Sequence, residues 1–491
     1  MRVFYNSTWQ VEWIYTTDFP GRHVPLVIVK NGKPGFVINQ WIYWLLEEGI
    51  TPSLLDERIR AVMHLYEFYN RTYSNRKPTH NESKNLIANF LDAKKYGSAN
   101  LGWKATPNTS TLKKYLHSIN SFDKWQTTFH GASRMNPAEE QFMSSWEIYH
   151  DFRRRSKWDP MLHLFPSRVH QKVQHAHTIK IEHSRFRLGK KIIPKAFPIN
   201  RFVELIEKTS NPRDQMLLLL MGGGSLRGSE TLHLYFSDVL GINKYGASKV
   251  RLDDPETGEM NWVHKGKNRT GTRAQYLSEL YVNDQFKYTN PPLYKLTPRT
   301  QGKPGVDHAG FKGMTFSSGG ESGITIDGQV IHWHEIFWCD PRFGIRFQKA
   351  YDEYVSQNFF NKSSQWPHHP YLFITLEKNN YGMPLKLGAL RGVFNRALKR
   401  LGMEKSGLGK HSLRHMFGEY CASILNLSIE QTRTLMHHGS TLSTEQYYHL
   451  QSEDVRKAIN KAIIENAGIK ITDYMIMPNS ECIQLPETWS K

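Results

Sequence analysis

Cysteine is nearly absent. Cys339, Cys421 and Cys482 are the only three in 491 residues, far apart and odd in number. That excludes a disulfide framework and any cysteine-based zinc module, and it fits a reducing cytoplasm. Long apolar runs are also missing, so no segment is expected to span a bilayer. The first residues, MRVFYNSTWQVEW, lack the basic, apolar and small-residue zones of a signal peptide. The paired histidines of HAH (His175–His177) and HWH (His332–His334) have no cysteine or carboxylate at a metal-ligand spacing, so both read as non-metal. No internal repeat period is evident.

Acidic residues are in short supply. There are 45 Asp and Glu against 64 Lys and Arg, a formal charge of +19. Such an excess points to a polyanionic partner, nucleic acid before an anionic membrane surface. Hydrophobic residues make up 39% and aromatics 12%, enough for packed cores and against global disorder. The length suggests two or three domains.

The first 35 residues read as a β-rich arm: VEWIY and VPLVIV are strand material, and KNGKPG is a turn. Residues 36–150 read as a helical domain. INQWIYWLLEEG has helical spacing and ends at Gly49. Thr51 is placed to cap the next helix, with Pro52 in its first turn and Leu55, Ile59, Val62, Met63 and Tyr66 as its apolar stripe. Further helices are expected over 82–95, 109–127 and 136–155. Residues 151–195 form a basic linker; the stretch 151–200 holds 12 Lys/Arg against three acids. Such a linker is either a solvated segment or one that lies along phosphates and releases their counterions.

A second domain is expected from 196 to 450. PINRFVELIEKT is amphipathic. Asn211–Pro212 restarts a helix through the all-apolar QMLLLLM, which has to be buried, and Gly222 to Gly224 end it. Residues 248–286 alternate as short strands, with KGKNRTGTR at a turn. Residues 287–365 are rich in Gly, Pro and aromatics. Helices return over 384–401, 411–425, 429–437 and 452–465, and the last lies in a C-terminal helix and tail, 451–491.

Several residues in this half carry chemistry. In KHSLRHMFGEYCASIL, His411, Arg414 and His415 fall at i, i+3 and i+4 on one helical face, opposite Met416, Phe417, Tyr420 and Ile424. They make either a solvated basic face or a set of donors converging on one phosphate. In GGGSLRGSETLHLYFSDV, Arg227 sits between a glycine run and an apolar helix containing Leu232, Leu234 and Phe236. It needs a counter-anion there: either a buried pair with Glu230 or a bound phosphate. LMHHGSTLSTEQYYHL, residues 435–450, adds paired histidines and paired tyrosines between helices. Fixed cationic donors stabilise the charge that grows on a phosphodiester's non-bridging oxygens, and they need no metal to do so. A tyrosine oxygen can attack phosphorus and be held as a phosphotyrosyl ester, while a lysine protonates the leaving hydroxyl.

These stretches resemble the motif boxes of the tyrosine recombinase, or phage integrase, family. SLRGSETLHLYFSD resembles the first box, with Arg227, Ser229, Glu230, Leu234 and Asp238. HSLRHMF resembles the second, with His411 and Arg414. LMHHGSTLSTEQYYH resembles the third, with His438, Ser440, Ser443, Thr444, Tyr447 and His449. HKGKNR offers Lys265, with Lys267 as the alternative, for the lysine that the family carries in a β-hairpin. Each box alone is unspecific; three in order, with a lysine-bearing turn between the first and second, are not. The sequence departs from the pattern at His437, where the family usually has Gly. It also departs in a slightly longer loop after HSLRH and in what reads as an insertion at about 287–365.

The resemblance implies a mainly α fold with a small antiparallel sheet (α+β), as a two-domain DNA clamp with an integrase-like catalytic domain. It implies that Arg227 and Arg414 clamp the scissile phosphate and Lys265 protonates the 5′-leaving oxygen. His411 acts as acid and base toward the tyrosine, and His438 donates to a non-bridging oxygen. Tyr447 forms a 3′-phosphotyrosyl link, with no cofactor and no metal. Counting nine residues from His438 reaches Tyr447; a register starting at Leu442 favours Tyr448 instead, and His437 remains the alternative to His438. The implied activity is site-specific recombination for integration or excision of a mobile element, in a bacterial, nucleoid-associated cytoplasmic setting. The implied partners are double-stranded DNA, copies of the chain in a tetramer on paired sites, and an accessory DNA-bending or directionality factor, with no membrane. The alternatives are a type IB topoisomerase-like enzyme, an inert DNA-binding protein of the same fold, and a structural polyanion- or RNA-binding role. The C-terminal helix either packs on its own chain or passes to a neighbouring protomer.

Overall fold

Strand-forming residues open the described chain. Trp9–Tyr15 (β1), His23–Val29 (β2) and the short Lys33–Pro34 (β3) form a sheet in that order. The structure is a computed structural model. It describes residues 8–142 (other than 20–21, 30–31, 75 and 107), 173–177, 179, 195–280, 296–312, 323–326, 329–332, 334–360 and 369–448. The chain divides into two compact units, one of residues 1–14 and 25–190, the other of 15–24 and 191–491.

In the first unit, α1 (Phe36–Glu47) and α2 (Pro52–Thr72) follow the expected apolar spacing. Leu55, Ile59, Val62 and Met63 are buried, whereas Tyr66 lies outside the stripe, 36% exposed. Thr51 starts α2 through its carbonyl, which accepts from Leu55 N at 2.9 Å, and not through its side chain. The helix expected over 82–95 is broken at Asn85 into α3 (His80–Lys84) and α4 (Leu86–Tyr96). Thr79 and Glu82 close a reciprocal capping box that starts α3. α5 (Thr109–His130) packs on α2 and α4, around Leu65, Phe68, Phe90, Leu116 and Ile119.

The helix expected over 136–155 does not form where it is described. Ala138–Phe142 is a strand, β4, paired antiparallel with Val173–His177, β5. Its Ala and Glu content favours helix, but Pro137 disfavours helical backbone at Asn136. Asn136 is then pinned, its N–H on Asp123 at 3.2 Å and its Oδ1 on Ile179 N at 2.9 Å. Residues 143–155, most of the basic linker and the 452–465 helix lie outside the described residues.

In the second unit, α6 (Phe202–Glu207) leads to α7 (Pro212–Gly222), whose Asn211 cap accepts from Asp214 N at 3.2 Å. Every residue of α7 is buried, as QMLLLLM requires. β6 (Val239–Ile242) and β7 (Ser248–Leu252) are followed by a hairpin of β8 (Glu259–His264) and β9 (Lys267–Thr272). Strand character was expected to continue to 286. Instead Arg273–Leu280 is a helix, α8, because Thr272 and Gln275 cap each other (2.8 and 3.2 Å) and Arg273 and Leu277 are buried. β10 (Gly323–Ile326) and β11 (Gln329–His332) pair with each other, and β12 (His334–Glu335) joins β7 in a sheet ordered β12-β7-β6.

Part of the segment that reads as an insertion is core. α9 (Pro341–Val355) packs along α7, and its Phe343, Phe347, Ala350 and Tyr354 are fully buried. α10 (Leu387–Arg400) packs on α6 and α7. α11 (His411–Glu419) packs on α7 and continues as a π turn to Ile424. α12 (Ile429–Leu435) starts from a capping box of Ser428 and Gln431. The fold is mainly helical with small antiparallel sheets, in the class the sequence suggests. Among the described residues no helix is long and apolar enough to cross a membrane.

Candidate active site

Three glycines close α7, and at two of them a side chain would clash. A Cβ on Gly222 would lie 2.5 Å from the Phe202 ring, and one on Gly224 would lie 2.7 Å from Ile336 Cγ2. The chain then turns through Ser225, which holds a left-handed φ of +60°. This turn aims the Ser225 carbonyl at α11, where it accepts from the Arg414 guanidinium. The other arm of that guanidinium donates to the carbonyl of Met436, at the end of α12. Arg414 therefore ties three segments together while only 4% exposed.

Arg227 and Arg414 share one carboxylate. Glu230 is fully buried; it pairs with the Arg227 guanidinium, accepts from Arg227 N at 2.7 Å, and lies 4.0 Å from Arg414. The pairing with Glu230 that the sequence allowed is thus real, but it does not use up the charge: two guanidiniums face one carboxylate. Burial, and then Arg227, push Arg414 down to about 10, so it keeps its proton at neutral pH. Such a cluster carries net positive charge in a poorly solvated place, where an anion is stabilising.

Tyr447 lies against this cluster. Its ring sits on α11 over Gly418, where a Cβ would be 2.8 Å from three ring carbons. Its hydroxyl is 2.9 Å from His415 Nδ1. The His438 ring stacks parallel to it at 6.4 Å and holds Thr444 Oγ1 on its Nδ1 at 2.9 Å. Burial raises the Tyr447 phenol to about 12 against the pull of Arg414 and Arg227. Burial, then Arg414 and Arg227, push His438 down to about 3. Both groups are neutral at physiological pH, and both are set among fixed cations.

The paired residues of the third box separate. His437 is buried in a left-handed turn at φ +52°, the backbone that explains a glycine at this place in the resembled pattern. Tyr448 points elsewhere. Its hydroxyl bonds the carbonyls of Leu427 at 2.7 Å and Ser428 at 2.8 Å, and Thr432 Oγ1, stapling the loop before α12. His411 opens α11. Its pKa is lowered by partial burial, then by Lys410, Arg414 and Arg227. The Lys410 side chain lies over Gly228, 3.2 Å from where a Cβ would be.

Lys265 is not brought into the cluster. It and Gly266 form the two-residue turn between β8 and β9, with φ of +49° and +74°. Lys265 and Lys267 are both exposed, and no hydrogen bond or ion pair among the described residues ties either to the arginines. Sequence reasoning grouped His415 with Arg414 by helical spacing but gave it no separate role; its bond to Tyr447, 32 residues away, is a tertiary fact. His449 lies outside the described residues. Among the described residues no group of His, Cys, Asp and Glu is arranged to hold a metal ion.

No protein-family model matches the chain, and no curated protein does. Among solved structures, it is similar to the XerH site-specific recombinase bound to difH substrate in a pre-cleavage complex. That match has 12% identity over 82% of this chain and 78% of that one, with a TM-score of 0.42. It is also similar to a lambda integrase dimer bound to a COC′ core site, with 10% identity over 84% of this chain and 76% of that one, and a TM-score of 0.40.

Proposed function

We propose that this chain is a tyrosine recombinase that breaks and rejoins DNA strands at specific sites. One observation carries the reading: the Tyr447 hydroxyl is bonded to His415, and its ring faces that of His438, against two arginines that share the single carboxylate of Glu230. A diester phosphate seated on Arg227 and Arg414 would supply the missing negative charge and present phosphorus to the phenol. Tyr447 forms the 3′-phosphotyrosyl link, and His438 donates to a non-bridging oxygen. Lys265, on its hairpin tip, protonates the 5′-oxygen, and the acid and base role toward the tyrosine, which the resemblance gives to His411, falls to the histidines of α11. The energy of the broken bond stays in the ester, so strand exchange needs neither metal nor cofactor.

In this reading residues 196–450 are the catalytic domain and 36–150, with the arm 1–35, the second half of a clamp on double-stranded DNA. Residues 151–195 run along phosphates, which the +19 net charge favours. Residues 451–491 reach a neighbouring copy in a tetramer on paired sites, helped by a DNA-bending or directionality factor. Integration or excision of a mobile element is the activity that uses such a complex, in a bacterial cytoplasm at the nucleoid.

The test is covalent trapping. Nicked duplexes with a randomised target stretch are incubated with the protein, and adducts that survive detergent are isolated and sequenced. Wild type and Tyr448→Phe should form an adduct at the same enriched sequence, and Tyr447→Phe none. An adduct from Tyr447→Phe but not from Tyr448→Phe moves the nucleophile to Tyr448. No adduct from wild type sinks the reading. Relaxation of supercoiled plasmid without joining of paired sites favours the topoisomerase-like alternative.

A further inference from the structure

We infer that His415, through Nδ1, is the base that takes the phenolic proton of Tyr447 as the tyrosine attacks phosphorus. This rests on the function proposed above and assigns a proton that the resemblance gives to His411. The geometry favours His415. Its Nδ1 is 2.9 Å from the Tyr447 hydroxyl, and the two rings lie 5.9 Å apart. No hydrogen bond between His411 and Tyr447 occurs among the described residues.

Position and environment act together. α11 presents one side of a turn to the tyrosine, and Gly418 lets the Tyr447 ring lie flat on that helix, within reach of His415 one turn earlier. The groups facing His415 are His411 and Arg414 on its own helix, with Tyr447 and His438 from the third box. Partial burial, then His411 and Arg414, hold the His415 pKa below its ordinary value. The imidazole is therefore neutral at physiological pH, with a lone pair to offer. Tyr447 cannot ionise unaided there, since burial holds it near 12. A base in contact is what such a phenol needs, and His415 is in contact.

The step balances. The Tyr447 oxygen forms a bond to phosphorus while the bond from phosphorus to the 5′-oxygen breaks. The phenolic proton passes to His415 Nδ1. The electron pair leaves with the 5′-oxygen, which is protonated by Lys265 or solvent. On rejoining, His415 returns its proton to the departing phenolate.

The test uses the full chain and the DNA site recovered by trapping, in a nicked form and in a form whose 5′-oxygen is replaced by sulfur. A thiolate leaves without being protonated, so that substrate spares an enzyme that lacks its leaving-group acid but not one that lacks its base. His415→Asn, which keeps an acceptor near Nδ1, and His415→Gln are measured with Lys265→Ala. Melting temperature and non-covalent DNA binding serve as structural controls.

Both His415 variants should bind DNA normally and form adduct about a hundredfold more slowly. The sulfur substrate should rescue Lys265→Ala but neither of them. The wild-type rate should be flat above an acid limb that lies below the ordinary histidine range. The variant rates should climb about tenfold per pH unit, because phenolate must then form without help. Wild-type rates in both variants, or rescue of both by sulfur, would overturn the assignment while leaving the proposed function intact. Loss of adduct by wild type itself removes both. If one variant is destabilised, the other decides.

Discussion

Two buried cations, one in each unit, meet burial with different outcomes. Lys94 in α4 is 5% exposed, and its ammonium sits 3.3 Å over the Trp103 ring, with Tyr115 and Phe90 at 5.4 and 5.9 Å. Burial pushes it down to about 8, with Glu67 pulling the other way, so it is close to shedding its charge. Arg414 is just as buried and is pushed down as well, but only to about 10, so beside Arg227 and a shared carboxylate it keeps its charge at neutral pH. A lysine in an aromatic nest can become neutral and rest. A guanidinium cannot, so a cluster built on it remains an anion site until an anion arrives. The first arrangement needs no ligand; the second, on the proposed function, is the seat of the scissile phosphate.

The sharpest way to break this contrast is to give the second site a cation of the first kind. Arg414→Lys keeps a positive charge but loses the planar fork that bridges the carbonyls of Ser225 and Met436. The lysine would also lose its proton more readily. Adduct formation on the trapped DNA site should fall about a thousandfold, the upper range for removing one preorganised donor at a charged transition state. Single-turnover rates measure it. A variant that cleaves at wild-type speed would mean that charge alone suffices at this position and that the distinction between the two sites has no chemical weight.

A smaller effect is expected from Gly418→Ala, which leaves every charge in place. The new methyl would lie 2.8 Å from the Tyr447 ring, so the ring must move away from α11 and from His415. Displacement of a reacting group by about an ångström costs roughly a hundredfold in rate. The overpacking should also lower stability by about 1–3 kcal/mol. Gly388→Ala in α10 is the control. No atom lies within 4 Å of the added methyl, so rate and stability should change little. Equal effects at both glycines would show that Tyr447 is not seated as described.

Much of this was legible in the sequence, and what was not has a common cause. α1, α2, α7 and α12 follow from local periodicity and caps, which short stretches encode directly. The turn read over KGKNRTGTR narrows to Lys265 and Gly266, because Lys267–Thr272 pairs as a strand with Glu259–His264. β4 and α9 escape a local reading because partners distant in the chain decide them, β5 for the strand and the core around α7 for α9; α8 owes its start to a local cap and its buried Arg273 to Asp238, 35 residues away. The candidate site shows the same division. Arg227, Arg414, His438 and Tyr447 stand in recognisable spacings. The His415–Tyr447 bond and the sharing of Glu230 depend on how α11 meets the segment after α12, and no spacing records that.

The last and smallest effect lies in the first unit. Lys94 has a folded pKa of about 8 against an ordinary 10.5. Between those values the unfolded chain holds more protons than the folded one, so stability from this group rises with pH across the window. The slope is at most about 1.4 kcal/mol per pH unit, the value for a single proton. Lys94→Met keeps the packing volume and removes the charge. Its melting temperature should equal or exceed wild type near neutral pH, and its advantage should shrink as pH rises from 8 toward 10.5. Adduct formation should not change. A variant that lost stability at every pH would mean that the ammonium over Trp103 is a net stabilising contact. The two buried cations would then differ in geometry but not in kind.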